Sequence, residues 1–310
     1  MNMVAYDNKM AEDKTVMKVA VTAAAGIACF SGYFASNKLT DLSMGATDPL
    51  NLSFFTPDEP TYSIWWLNFL LVGVMVFAQW CPTDEIEFLL RQQDLMTKLD
   101  VRARITAALL ANTLWFYFFS QKVFFLAWVF GVVDFLAILS VLTTLNTKFI
   151  LDFIQWFLFV VPNVVHASWV LILSMLSCSL SFGPALGLTT DIVIGGDMGV
   201  QVAGPPALAV AGICIVGLVA CVMAIARLEF TWSMVAAWAL AGIYRMQLPA
   251  STSVFPANGV CESVANAALW GTVITILVSA VSCAIILFAP EPKPCPPCPP
   301  RPMPMPVPLV

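Results

Sequence analysis

Apolar and polar positions alternate along this chain in blocks the size of whole helices. Apolar runs occupy residues 15–36, 61–80, 103–120, 123–146, 153–182, 205–227, 230–246 and 259–289. A helix needs about 20 mainly apolar residues to cross a bilayer. Eight such runs predict an all-α, polytopic transmembrane helical bundle. The third and fourth are separated only by a turn at Gln121-Lys122, and the sixth opens on Gly204-Pro205-Pro206, where proline suits a first helical turn. Between the runs lie loops at 37–60, 183–204 and 247–258. A segment at 81–102 carries charges of both signs and predicts a short surface helix over 83–99. Proline crowds the tail at 290–310, which predicts an extended polyproline segment. Residues 1–14 form a polar N-terminal segment, and the first apolar run, which ends in no clear cleavage site, is expected to be a retained helix.

The basic residues give the bundle an orientation. With eight spans and both termini on one side, that side holds Lys9, Lys14, Lys18, Arg91, Lys98, Arg102, Arg104, Lys148, Arg227, Lys293 and Arg301. The other side holds only Lys38, Lys122 and Arg245. Lysine and arginine favour the cytosolic side, so both termini are expected there or on the equivalent side of an organelle.

Composition narrows the class further. Apolar residues make up 60% of the 310 and charged residues only 11%, against about 25% in a soluble domain. The net charge of −5 offers no basic patch, so nucleic acid is not an expected partner. Seven of the nine cysteines fall in or beside apolar runs, where cysteine packs as a small hydrophobe. Cys295 and Cys298 form a C-x-x-C among tail prolines, without the helix or the further ligands that a redox or zinc site needs. Asn51-Leu52-Ser53 is a glycosylation sequon on a non-cytosolic loop. In the first and last runs small residues recur every fourth position, from Ala20 to Ser36 and from Ser263 to Cys283, a stripe that lets another backbone approach closely within the bundle or between subunits.

The few polar groups inside the apolar runs carry the candidate chemistry. Asp134 sits mid-run, where an ionised carboxylate costs about 2.5–3.5 kcal/mol by insertion scales. It must face the interior and be paired, hydrated or protonated. Two roles fit: a ligand or proton site, or an interhelical hydrogen bond that fixes packing. His166, the only histidine, lies four residues after Pro162 and three before Trp169. It suits a tetrapyrrole metal ligand, a partner for Asp134, or a polar cap at the interface; a bis-histidine haem within one chain is excluded. Pro162 removes a helical hydrogen bond and is expected to kink its helix beside a cavity. Asn68, Asn112, Asn163 and Asn266 are further intramembrane amides. Ten tryptophans are shared between helix ends and interiors, and Trp115 and Trp169 are suited either to core packing or to an aromatic pocket for a flat ligand. There is no Ser-His-Asp pattern, no metal-spaced histidine cluster and no phosphate-cradling glycine loop, so enzymatic activity is not expected.

At Phe55-Thr56-Pro57-Asp58-Glu59-Pro60-Thr61-Tyr62-Ser63-Ile64-Trp65 the chain resembles the tryptophan-rich sensory protein / translocator protein family (TspO/MBR), which has a proline-rich loop before an aromatic and a tryptophan. The resemblance continues at Leu109-Leu110-Ala111-Asn112-Thr113-Leu114-Trp115-Phe116-Tyr117-Phe118-Phe119, at Asp134, at Pro162 and Trp169, and, as in longer members, at 236–244. It implies a five-helix core over 15–182, three additional helices over 183–289, and a ligand pocket opening toward the first long loop. It also implies binding, transport or sensing of porphyrins, sterols or similar apolar molecules. Carried onto this chain, the ligand-binding candidates are Trp65, Asn112, Trp115, Asp134, Pro162 and Trp169, with His166 added from the residue reading. Asp58-Glu59 and Trp66-Leu67-Asn68 depart from the family pattern.

Two functions therefore compete at this level. One is a binder of a flat hydrophobic ligand, with a tetrapyrrole as the candidate cofactor and Asp134 and the tryptophans lining an internal hollow. The other is a non-catalytic accessory subunit, in a homo-oligomer or a larger respiratory or photosynthetic membrane complex. A secondary transporter would show an inverted repeat and broken helices, and neither is evident.

Overall fold

The computed structural model describes residues 15–34, 53–94, 97–145, 153–194, 198–227, 229–247 and 261–288. The N-terminal segment, the sequon Asn51, Asn146 to Asp152 and the proline-rich tail with Cys295 and Cys298 lie outside the described residues. Eight long helices stand where the apolar runs predict them: α1 (Thr15–Phe34), α2 (Ile64–Ala78), α4 (Val101–Ser120), α5 (Phe124–Leu145), α6 (Phe153–Ala185), α7 (Pro206–Arg227), α8 (Phe230–Met246) and α9 (Glu262–Phe288). A short α3 (Asp84–Leu90) joins α2 to α4. The chain is an all-α bundle that folds as an integral membrane protein. Six of the long helices are both long and apolar enough to cross a membrane. The exceptions are α4, which has Arg102 and Arg104 in its first turn, and α8, which has 17 residues.

α6 is the central element. Its apolar stretch is 89% buried, against 17–39% for the other five spans. It packs on α2, α5, α7 and α8, while α4 pairs with α5 and α9 lies across α7 and α8. A single hydrophobic core runs through both halves, from Val21 on α1 to Ala268 on α9. α1 closes against α2: Gly32 lies so near Phe69 that a Cβ there would overlap the ring, and Lys18 sits 5.9 Å over Trp80. The small-residue stripe of α9 faces inward, with Gly271 against Leu240 and Thr275 fully buried.

Two segments differ from expectation. The surface helix expected over 83–99 stops at Leu90. Thr83 caps its start by accepting from the Ile86 amide, but beyond Arg91 the chain turns back, Asp94 Oδ2 takes the Thr97 amide, and Lys98 adopts φ 57°. That turn lets Gln93 bridge to Asp100 and brings Arg102 against Glu87 at 2.7 Å. The loop expected at 183–204 contains a hairpin, β1 (Thr189–Ile194) with β2 (Met198–Ala203), antiparallel in the register Thr189↔Ala203 to Ile194↔Met198. Its β-branched Thr-Thr-Asp-Ile-Val-Ile run favours extended backbone. The hairpin is tied to the end of α6 at Gly183, where a Cβ would stand 2.5 Å from the Gly204 amide nitrogen, and Gly204 itself needs φ +82°.

Proline 162 acts on α6 as a backbone device. The helix passes through a π-type turn at Trp156–Val160, where the Val161 amide reaches back to Trp156 O. Asn163 Nδ2 donates to Phe159 O at 2.7 Å, tying its side chain back onto the preceding turn. A π-turn of this kind takes up the residue by which proline disrupts the ladder.

Candidate functional site

The intramembrane polar residues are assembled at one level of the bundle. Asp134, on α5, has no exposed surface. Its carboxylate accepts from Asn112 Nδ2 of α4 at 3.0 Å and from His166 Nε2 of α6 at 3.1 and 3.2 Å. The other imidazole nitrogen, Nδ1, lies 3.0 Å from Asn68 Nδ2 of α2. With Asn68 donating to Nδ1, the ring proton sits on Nε2 and is donated to Asp134. Four helices are thus joined by one chain of hydrogen bonds, Asn68–His166–Asp134–Asn112. Both imidazole nitrogens are engaged, so His166 presents no free lone pair to a tetrapyrrole metal. Among the described residues no three of His, Cys, Asp and Glu come together as a metal site.

One turn away stands a layer of aromatic rings. Trp65 precedes Asn68 by three residues, Trp115 follows Asn112 by three, and Trp169 follows His166 by three. Residues three apart share a helix face, so each helix contributes one polar and one aromatic side chain to the same pair of layers. Ring centroids of Trp65 lie 6.4 Å from Trp115 and 6.2 Å from Trp169. Phe69 and Phe116 also pack on Trp65, at 5.4 and 4.6 Å. On α5 the matching position is Gly131, three before Asp134. A Cβ there would meet Ser174 Oγ at 2.6 Å and Trp115 Cδ1 at 3.2 Å, so the missing side chain makes room for the indole. Trp115 Nε1 donates to Ser177 Oγ.

The layers are closely filled. Trp65, Trp115 and Trp169 are at most 3% exposed. The expected open hollow is absent at these residues because the rings occupy one another's faces. Polar groups are nevertheless left over. Trp65 Nε1, Trp169 Nε1, Asn68 Oδ1 and Asn112 Oδ1 are buried without a hydrogen-bond partner. Each such group forfeits about 1–3 kcal/mol.

Of the seven residues singled out from the sequence, Trp65, Asn112, Trp115, Asp134, His166 and Trp169 meet in these two layers. Pro162 is buried one turn from His166 and shapes the backbone instead. Asn68 belongs to the cluster and was recognised only as one intramembrane amide among four; its spacing from Trp65, the same as that of Asn112 from Trp115, was the available signal. Tyr62, quoted from the sequence only within the motif before Trp65, is a further site residue, packing edge-on against Trp169 at 5.9 Å.

A buried acid–imidazole pair under an indole layer, inside an apolar bundle of eight long helices, defines a polytopic membrane protein with an internal polar site. The TSPO-like protein family matches residues 15–282, and the chain belongs to it. That match takes in seven of the long helices whole and α9 as far as Ser282. No curated protein and no solved structure matches the chain.

Proposed function

We propose that this membrane protein binds a hydrophobic small molecule of the porphyrin or sterol kind, for transport or sensing and without chemical turnover. One observation carries the reading: four hydrogen-bonding atoms, two indole N–H donors and two amide oxygens, are buried and unpaired around the Asp134–His166 pair. A flat apolar guest with polar edge groups would satisfy them. Because the rings fill the layer, the guest takes the place of Trp65 contacts by parting α2 from α4 and α6. Both termini face the cytosolic side in this scheme, in keeping with the bias of basic residues. Titration of protoporphyrin IX into the purified protein, followed by tryptophan quenching, tests it. Saturable quenching that weakens in Trp115→Ala and Asp134→Ala supports binding. No quenching, or affinities unchanged by both substitutions, overturns it.

A second reading rests on the filled aromatic layer itself. The protein is then a scaffold subunit, with the buried array serving only to register four helices. Apolar residues exposed on α9, among them Trp270, Leu277 and Phe288, would then face a partner as well as lipid. Native electrophoresis after gentle solubilisation separates the two, since a scaffold subunit migrates with a large assembly.

A further inference from the structure

The segment from Ser53 to Ser63, which leads into Trp65, is held mainly by α7, α8 and the hairpin. Ser53 bridges to Ala203 of β2. Phe55, fully buried, lies against Gly212 of α7, where a Cβ would come within 2.9 Å of its ring. Gln247 Nε2 donates to Phe54 O at 3.3 Å. The tightest anchorage is on α8. There Trp238, Gly242 and Arg245 fall at i, i+4 and i+7, a single helix face. Trp238 Nε1 donates to Thr61 O at 3.1 Å, and the Asp58 amide donates to Gly242 O at 3.2 Å. Arg245 grips the Asp58 carboxylate with both arms, Nε to Oδ2 at 2.6 Å and Nη2 to Oδ1 at 3.0 Å, and reaches Thr61 Oγ1 at 3.2 Å. Thr61 hydroxyl also donates to Asp58 Oδ1. Gly242 is needed for this approach: a Cβ there would stand 2.0 Å from Thr61 Oγ1.

The same segment touches the site. Tyr62 packs on Trp169, and the short 3₁₀ turn Glu59–Ser63 runs directly into Ile64 and Trp65. Whatever holds Asp58 and Thr61 therefore holds the end of α2 that carries the indole between Trp115 and Trp169.

We infer that Arg245 is a positioning residue, and that its fork on Asp58 latches the segment Ser53–Ser63 over the Trp65–Trp169 layer, so that the helices after the hairpin govern access to the site. Asp58 and Arg245 keep 17% and 41% of their side-chain surface exposed, so the fork itself can part while Phe55 and Tyr62 stay in the core. An exposed pair of good fork geometry contributes up to about 1 kcal/mol, enough to hold a segment shut and weak enough to be broken thermally. The latch bears on ligand exchange only through the binding reading above; as a contact between segment and helix it is independent of it.

Amide hydrogen exchange on the full-length protein in detergent reads the latch without any ligand. In wild type the amides of Phe55, Thr56, Asp58 and Thr61 are all hydrogen-bonded. Arg245→Asp is expected to speed exchange in this segment about five- to ten-fold while α4, α5 and α6 stay protected. The double variant Asp58→Arg/Arg245→Asp is expected to restore protection. Gly242→Ala, which pushes Thr61 off α8 without changing charge, is expected to act like Arg245→Asp. Unchanged exchange in both single variants, or a swap that restores nothing, overturns the inference. With protoporphyrin IX as probe, association and dissociation should both quicken in Arg245→Asp. If wild type shows no quenching at all, the binding reading falls while the exchange data still decide the latch.

Discussion

The polar groups buried between α2, α4, α5 and α6 differ in kind from those buried among α7, α8 and α9. The first set contains a carboxylate, an imidazole and two amides, linked across four helices and leaving indole N–H groups and amide oxygens unpaired. The second set is made of hydroxyls returned to nearby backbone. Ser233 donates to Phe230 O at 3.0 Å and accepts from Ser279, Ser282 donates to Ala224 O at 2.9 Å, and Thr275 donates to Gly271 O within its own helix. Hydroxyls satisfied in this way cost little in a bilayer and let helices approach closely. An Asp–His pair with unsatisfied neighbours is expensive to bury in a bilayer. The second set has exceptions of its own: Trp232 Nε1, beside Phe135, and Gln247 Oε1, at the end of α8, are buried without a partner.

Five substitutions at four positions would break or sharpen this contrast. The largest effect is expected from Trp115→Ala, which deletes a buried indole stacked on Phe119 and touching Trp65; a loss of about 3–5 kcal/mol would appear as a lowered thermal midpoint in detergent. Asp134→Ala strands the His166 Nε2–H and the Asn112 amide and should cost about 3 kcal/mol. Asp134→Asn should cost clearly less, because an amide oxygen in the Oδ2 place still accepts from both. Equal losses for Ala and Asn would mean that the array is not held by hydrogen bonding. Gly131→Ala forces Trp115 and Ser174 to shift, at about 1–2 kcal/mol, and should alter the near-ultraviolet dichroism of the indoles. Ser279→Ala, in the other half, should cost only about 0.6 kcal/mol. A Ser279→Ala loss as large as that of Asp134→Ala would erase the distinction between the halves.

Much of the fold was legible along the chain. Each long helix begins or ends within a few residues of its apolar run, because a run of apolar residues has one way to satisfy its backbone in lipid. Asp134, Asn112, His166 and the three tryptophans could be singled out because a polar or bulky residue stands out against such runs. The end of α3 at Leu90 was not legible, since it depends on Glu87 meeting Arg102 and on the turn at Asp94 to Lys98. Nor was the hairpin, whose six-residue strands are too short to announce themselves between helices.

The sequence alone determined that this is a membrane bundle of about eight helices with a few costly polar residues inside, because hydropathy and helix length are local properties. Only the tertiary structure decided that Asn68 and His166, 98 positions apart, share a hydrogen bond, that the indoles close on one another instead of walling an open space, and that Arg245 holds Asp58 across 187 positions. Those outcomes depend on which helix faces meet and at what height. Packing and hydrogen-bond geometry select among many registers that the apolar pattern leaves equal.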